Sequence, residues 1–298
     1  MKPVLSKKSA IAFLALAGLV ALIYASSTRV KVFVYENFLH RGEVLGASTP
    51  AIVTSPWHYY FTVDGTLSES SPMDNSSSPY FWLSSGAYLF LSNGTAKTVH
   101  GELDTWSKWR VAYANSNPRD TDNGYHPQNI FRLVTRSKWL NHTSQVSFKI
   151  DKTILSDSPE RNAWSGILFF SRYQDSNNLY YAGIRMDGHA VIKKKLSGVY
   201  YTLAEKAVFP GVYDRTSNPT LLPQQKWMKI KLETSNTSTG TRLRLFLDRE
   251  NNNTWETLLD VTDTRGKKDG DPISQEGYSG IRTDFQEVEF DDFICSNI

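Results

Sequence analysis

The chain has 298 residues, of which 13% are aromatic, and its formal net charge is +3. The aromatic content excludes an intrinsically disordered chain, and the length is that of one or two domains. The small, dispersed charge argues against a nucleic-acid-binding protein, and the single cysteine, Cys295, excludes an intrachain disulfide.

An apolar segment without charged residues covers residues 9–25 and follows three lysines. Its length is near the lower limit for a transmembrane helix, and positive residues before such a segment keep the N-terminus in the cytoplasm. We therefore expect a single-pass signal anchor within residues 1–29, with the bulk of the chain extracellular or periplasmic. A cleaved signal peptide stays open as the alternative, and both interpretations export residues 30–298.

Five asparagines begin the N-x-[ST] pattern that accepts N-linked glycans in exported proteins. If these sites are used, they lie on surface loops. The five are Asn75, Asn93, Asn141, Asn236 and Asn252.

Residues 30–56 contain one strand-like segment followed by a stretch rich in Gly, Ser, Thr and Pro, which predicts a stalk or linker. From residue 57 onward, short segments that alternate apolar and polar residues are separated by turn signals. No long segment of helical periodicity follows residue 30, which argues against a parallel α/β sheet. The pattern predicts an all-β domain over residues 57–298, built as a two-sheet antiparallel sandwich and preceded by the one N-terminal transmembrane helix.

Several short phrases follow one another in the second half of the chain. They read SGILFFSR at 165–172, NLYYAGIR at 178–185, AVIKKK at 190–195, WMKIKL at 227–232, GIRTDF at 280–285 and EFDDF at 289–293. In this order they resemble the concanavalin A-like lectin/glucanase superfamily, in its laminin-G-like and keto-disaccharide-hydrolase-like branches, over residues 130–298. The resemblance implies a jelly-roll sandwich on whose concave sheet or rim loops carbohydrate binding, glycoside hydrolysis and polysaccharide lysis occur.

Three carboxylates alternate along the last predicted strand, at Glu287, Glu289 and Asp291, and therefore share one face. Retaining glycosidases of the resembled superfamily display alternating carboxylates on one strand, which makes these residues candidates for hydrolysis. The spacing here is E-x-E-x-D instead of E-x-D-x-x-E. An acidic, solvent-exposed strand face is the alternative interpretation.

Basic and aromatic residues suggest a second chemistry, polysaccharide lysis. Such a lyase needs a cation that neutralises a uronate carboxylate and a Tyr or His that moves protons. Arg132 on one predicted strand, with His189 and Tyr200 on a later hairpin, supplies these residue types. The R-x-E-x-R and Q-x-H phrases of jelly-roll lyases are absent, and a hairpin with cationic edge positions is the alternative.

Sugar-binding sites combine aromatic rings with polar side chains that bind hydroxyl groups. Most large aromatic residues belong to the core, so the candidates are those in polar loops or beside cations. The predicted ligand-binding residues are Arg119, Tyr125, His126, Arg136, Lys195 and Tyr201.

Two Asp/Asn-rich segments, residues 120–124 and 248–253, resemble incomplete calcium loops. We leave a structural calcium ion as an unassigned cofactor, with ordinary turns as the alternative. The sequence lacks a P-loop, a dinucleotide fingerprint, paired-cysteine zinc sites and a G-x-S-x-G elbow.

Together these features predict a membrane-anchored, lectin-like domain outside the cytoplasm whose partner is a carbohydrate or polysaccharide. Two alternatives stay open. One is a glycoside hydrolase or polysaccharide lyase on the same fold, and the other is a structural cell-surface protein.

Overall fold

The computed structural model describes residues 47–266 and 269–298. The predicted anchor and most of the predicted linker lie outside these residues. No helix of the described part is long and apolar enough to cross a membrane. The strands are β1 (Trp57–Tyr59), β2 (Gly65–Ser68), β3 (Phe81–Ser85), β4 (Tyr88–Ser92), β5 (Thr95–Lys97), β6 (Phe131–Trp139), β7 (His142–Thr153), β8 (Gly166–Asp175), β9 (Asn178–Arg185), β10 (His189–Leu196), β11 (Val199–Ala207), β12 (Trp227–Asn236), β13 (Gly240–Asp248), β14 (Glu256–Thr264), β15 (Gly277–Thr283) and β16 (Gln286–Asn297).

Within the described ranges, these strands form two antiparallel sheets. The nine-stranded sheet has the order β14-β13-β12-β7-β16-β5-β4-β2, and β1 pairs with β16 beside it. The seven-stranded sheet has the order β11-β10-β9-β8-β15-β6-β3. This confirms the predicted all-β, two-sheet antiparallel sandwich, and it is the architecture that the resemblance to the concanavalin A-like superfamily implies.

The core lies between the sheets and is built by strict alternation on most strands. Phe131 and Leu133 on β6 face it, as do Phe148 and Ile150 on β7, and all four are fully buried. Burying each such side chain stabilises the fold by about 1.5–3 kcal/mol. The remaining positions of each strand therefore point to the outer faces of the sandwich.

Strand β16 keeps its apolar residues inward by means of a bulge. Its register with β7 shifts at Asp292, whose φ is 56°. Phe290 before the bulge and Phe293 after it are both fully buried. The extra residue reverses the alternation, so both halves of the strand contribute to the core.

A single α-helix within the described residues, α1 (Lys108–Ser116), interrupts the β-structure between β5 and β6. The sequence does not predict it, since the helix has no apolar stripe and buries only Tyr113. Two 3₁₀ helices span Met73–Asn75 and Pro127–Ile130. Tyr113 packs beside Ala87 and Tyr88, which anchors α1 near the connection from β3 to β4.

Candidate functional site

The outer face of the seven-stranded sheet carries its own apolar cluster, which includes Leu168, Phe170 and Tyr181 and is separate from the main core. Cationic side chains surround this cluster. We term this surface the cationic face, and its cations are Arg132 on β6, Arg185 on β9, Lys193 and Lys195 on β10, and Arg282 on β15.

Three adjoining cavities cross the cationic face and together form a groove. The first has a volume of about 350 Å³ and lies beside Arg132. A small middle cavity is bordered by Arg132, Tyr200 and Arg282. The third has a volume of about 160 Å³ and is bordered by Tyr200, Arg282, Lys193 and Trp164. Because neighbouring cavities share these side chains, the three cavities adjoin, and we refer to them together as the groove.

Arg132 is directly opposite Arg282 in the register of β6 and β15. Like charges at such positions repel each other. Arg282 is compensated, since its Nε donates a hydrogen bond of 2.8 Å to Oδ1 of Asp284. In the described part of the chain, no carboxylate lies within 4.0 Å of the Arg132 guanidinium. Burial and then repulsion from Arg282 lower the pKa of Arg132.

The two outward-pointing lysines of β10 contact aromatic rings. Lys193 is only 3% exposed, and its Nζ lies 3.8 Å from the centroid of the Trp164 ring. Nζ of Lys195 lies 4.7 Å from the Tyr200 ring and donates a hydrogen bond of 2.8 Å to the carbonyl oxygen of Ser176. Burial lowers the pKa of Lys193. Such cation–π contacts hold the ammonium groups and the rings together at the groove.

The first cavity contains a carboxyl–phenol pair. Tyr113 Oη donates a hydrogen bond of 2.5 Å to Oε2 of Glu69, and the backbone N–H of Ala87 donates to the same oxygen at 2.9 Å. The backbone N–H of Gly86 donates to Tyr113 Oη at 2.9 Å. Burial raises the pKa of the Glu69 carboxyl, which favours its protonated form.

The groove brings together three residues predicted from the sequence. Arg132, Lys195 and Tyr200 all border the middle cavity, although they lie on different strands. His189 does not border the three cavities. It lies at the start of β10, with Nδ1 3.3 Å from the carboxylate of Asp187.

Of the three predicted ligand-binding residues in the loop at 119–126, one borders a cavity and two contact neighbouring side chains. Arg119 borders a further cavity of about 310 Å³, which adjoins the groove's first cavity at Asp120. The Tyr125 ring lies under the guanidinium of Arg110. Nδ1 of His126 is 2.8 Å from the carboxylate of Asp122. Only Arg119 of these three therefore faces an open cavity beside the groove.

Arg136 and Tyr201 lie away from the groove. The Arg136 guanidinium is buried, and its Nη1 donates hydrogen bonds to the carbonyl oxygens of Ser48 at 2.7 Å and Ser78 at 2.8 Å. Arg136 thus fastens two loops to the sandwich. Tyr201 pairs with Lys194 in the register of β10 and β11, and Lys194 points towards the core.

The three alternating carboxylates lie on the outer face of the nine-stranded sheet, on the side of the sandwich away from the groove. Glu289 forms ion pairs with Lys97 at 2.6 Å and Lys149 at 3.2 Å. Burial alone would raise the pKa of Glu289, but its bonds to these lysines lower it. Oε1 of Glu287 accepts a 2.8 Å hydrogen bond from the backbone N–H of Gly101. Burial raises the pKa of Asp291.

The two segments that resemble calcium loops form hydrogen-bonded turns. Oδ1 of Asp120 accepts a bond of 2.7 Å from Ser158 Oγ. The Asp248 carboxylate accepts bonds from the backbone N–H groups of Glu250 and Asn253. Over residues 47–266 and 269–298, no group of three or more His, Cys, Asp or Glu side chains could hold a metal ion.

The predicted glycosylation sites differ in exposure. Asn75, Asn93, Asn236 and Asn252 are exposed. Asn141 is half-buried, and its Oδ1 accepts a 2.8 Å hydrogen bond from the backbone N–H of Asn236.

Residues of the groove that were not among the sequence candidates include Glu69, Tyr113, Trp164 and Arg282. Arg282 had a usable signal, because the apolar Ile281 before it predicts that Arg282 faces outward on a strand. Glu69, Tyr113 and Trp164 lie outside the strands, at a strand end, on α1 and in a loop. Periodicity does not predict where such residues meet.

No protein-family model matches the sequence, and no curated protein matches it. The chain is similar to several solved structures. A carbohydrate binding module, CBM66 from Bacillus subtilis, is 15% identical with a TM-score of 0.40, over 57% of this chain and 83% of that one. A GH43 protein from Bacillus licheniformis is 11% identical with a TM-score of 0.46, over 83% of this chain and 40% of that one.

A prokaryotic β-1,3-1,4-glucanase (lichenase) derived from a mouse hindgut metagenome is 10% identical with a TM-score of 0.42, over 82% of this chain and 100% of that one. This chain spans less than half the length of the GH43 protein. At this level of similarity the matches assign no activity, so the function has to be argued from the side chains of the groove.

Proposed function

We propose that this protein binds a carbohydrate in the groove on the cationic face. One observation carries the proposal: aromatic rings stand exposed beside hydrogen-bonding side chains. Trp164 is 62% exposed and Tyr200 is 47% exposed, although both are large apolar rings. Sugar rings stack their C–H faces on such side chains, while neighbouring polar groups bind the hydroxyls.

Contacts with neighbouring residues hold both rings in position before any ligand arrives. The Trp164 backbone N–H donates a 2.9 Å hydrogen bond to Oδ1 of Asn162, and Lys193 covers one side of the indole. The Tyr200 ring makes an edge contact with Tyr181 at 5.8 Å between centroids. A site whose side chains are already ordered loses less entropy on binding.

Replacing Trp164 tests this proposal. Because the indole is exposed, Trp164→Ala should leave the fold intact and weaken glycan binding about tenfold, the equivalent of about 1.4 kcal/mol. A glycan array on the full-length chain identifies ligands, and isothermal titration then measures their affinities. Trp255→Ala is the matched control, since Trp255 also lies under a lysine, Lys231, but on the other sheet. No binding to any glycan would contradict the proposal and favour a purely structural surface protein.

The second candidate function is a carbohydrate-active enzyme, a hydrolase or lyase, that uses the same groove. The Glu69–Tyr113 pair favours it, because a general acid needs a carboxyl whose pKa is raised towards the working pH. Glu69→Gln should then lower the rate of reducing-sugar release, or of unsaturated-uronate formation, about 100-fold or more. Glycan affinity should change little. Equal rates for Glu69→Gln and the wild type would exclude this role.

We also propose that the domain is held at a membrane, outside the cytoplasm, by residues 9–25. The absence of charge in this segment and the three lysines before it support the proposal. The chain should stay in the membrane fraction after alkaline extraction, and protease added to intact cells should degrade the C-terminus. Release into the soluble fraction after processing of the leader would favour the cleaved-signal alternative. Glycans at Asn93 and Asn252, at exposed turns, would support export.

A further inference from the structure

We infer that the ligand is an acidic polysaccharide whose carboxylate or sulfate groups bind at Arg132 and at Lys193 with Arg282. This inference rests on the proposed carbohydrate-binding function and names its substrate class. It is carried by the positions and partners of the charged side chains on the two outer faces of the sandwich.

On the outer face of the nine-stranded sheet, cationic side chains form ion pairs with neighbouring carboxylates, which gives a comparison for the cationic face. Lys149 Nζ lies 3.2 Å from the Glu289 carboxylate, and Arg242 Nη2 lies 2.5 Å from that of Asp260. Six cations of this face, among the residues that the structure describes, have an acidic neighbour within 4.0 Å. The further pairs are Lys97 with Glu289, Lys229 with Asp292, and both Lys231 and Arg244 with Glu233.

The cationic face differs, because three of its five cations have no carboxylate partner among residues 47–266 and 269–298. Arg185 pairs with Asp187 and Glu205, and Arg282 pairs with Asp284. The cations without such a partner are Arg132, Lys193 and Lys195.

Lys193 and Arg132 are costly to keep charged where they are. Lys193 is 97% buried (3% exposed). Arg132 is half-buried and directly opposite another guanidinium. Taking a cation out of water without pairing it destabilises a fold, and so does placing like charges side by side. An anionic ligand group in the middle and third cavities would relieve both costs.

The ends of the groove favour a saccharide over a densely charged polyanion. Asp120 borders the first cavity, and Glu160 borders the third. These carboxylates would repel a chain that carries a negative charge at every unit, but they accept hydrogen bonds from hydroxyl groups. A polymer with hydroxyls throughout and acidic groups at intervals matches this arrangement.

Two pairs of polymers that differ only in charge test the inference with the full-length protein. The first pair is partly methyl-esterified polygalacturonate, which carries acidic groups at intervals, and its full methyl ester, and the second is lightly sulfated dextran and dextran. We expect the wild type to bind at least one acidic form about tenfold or more tightly than its neutral partner. That preference should shrink as the salt concentration rises from 50 to 500 mM, because salt screens the charges.

Variants locate the anionic positions. Arg132→Gln and Lys193→Gln should each weaken binding of the acidic polymer about tenfold, while binding of its neutral partner changes less than twofold. Lys231→Gln is the matched control, because Lys231 also covers an indole, that of Trp255, but on the other sheet. The salt dependence of the wild type provides a test that requires no variant to fold.

The outcomes separate this inference from the proposed function. Equal binding of acidic and neutral forms, or a preference for the neutral ones, overturns the acidic ligand and leaves carbohydrate binding intact. No binding to any of the four polymers, or to any glycan, overturns both. Tighter binding of a single-stranded oligonucleotide than of either acidic polymer overturns the inference in favour of a nucleic acid.

Discussion

The imidazole of His142 illustrates how one buried group links stability to pH. Its residue is 1% exposed at the start of β7, where Nδ1 donates a 3.2 Å hydrogen bond to the carbonyl oxygen of Leu140. Burial lowers the pKa of His142 to about 4, and the nearby Arg172 guanidinium acts in the same direction. In the unfolded chain the same group has a pKa near 6.5.

Folding stability should therefore fall as the pH decreases through this window. Above about pH 6.5 the imidazole is neutral in both states, and its contribution is constant. Between about pH 6.5 and pH 4 the unfolded chain binds a proton that the folded chain excludes, which removes up to about 3 kcal/mol. His142→Gln should flatten this part of the profile in urea unfolding at several pH values, and His58→Gln, at an exposed position, should not. Parallel profiles for His142→Gln and the wild type would refute the prediction.

At the level of single elements, β10 places three consecutive lysines on the two opposite sides of its sheet. Lys193 and Lys195 face the groove, and Lys194 faces inward with a fully buried side chain. Lys194 Nζ lies 3.0 Å from the carboxylate of Asp263, which is on β14, an edge strand of the other sheet. Tyr180 Oη donates a hydrogen bond of 2.5 Å to the same carboxylate. This ion pair joins the two sheets near their edges.

Removing one member of the buried pair should be far more costly than removing its neighbour. Lys194→Met leaves the Asp263 carboxylate buried and without its cation, which should lower the free energy of unfolding by about 3–5 kcal/mol. Lys195→Met, one residue along and in the groove, should change it by no more than about 0.5 kcal/mol. Denaturant unfolding of both variants, together with the double variant Lys194→Met/Asp263→Leu, checks this. A double variant no more stable than Lys194→Met would show that the pair itself is not the cause.

At the scale of the whole molecule, periodicity predicted the sandwich because each strand's alternation is a local property. Most segments that alternate in the sequence are strands in the structure, and on β6 and β10 to β11 this was enough to identify Arg132, Lys195 and Tyr200 as candidates. Which strands are neighbours depends on contacts between distant parts of the chain. The sequence therefore did not separate the Glu289 face from the groove.

The rest of the site could not be predicted for the same reason. Glu69 and Tyr113 are 44 residues apart and meet only because α1 packs against the connection from β3 to β4. Arg136 shares a strand with Arg132, but its guanidinium binds the carbonyl oxygen of Ser48, 88 residues away, and so holds a loop instead of facing the groove. A stretch of charged or aromatic residues in the sequence shows which residue types are present. A binding site also requires that residues from distant parts of the chain lie next to one another in the fold.

The bulge at Asp292 also determines which changes in chain length the molecule tolerates. Deleting that one residue would remove the bulge and restore unbroken alternation through β16, with Phe290, Phe293 and Cys295 still facing the core. Deleting Ile294 instead would bring Phe293 and Cys295 to adjacent positions, which face opposite sides of a strand, so one of these two core residues would face water. Length variants are therefore expected to survive at Asp292 and in the exposed turn at Asn252, and to be lost between Phe293 and Cys295.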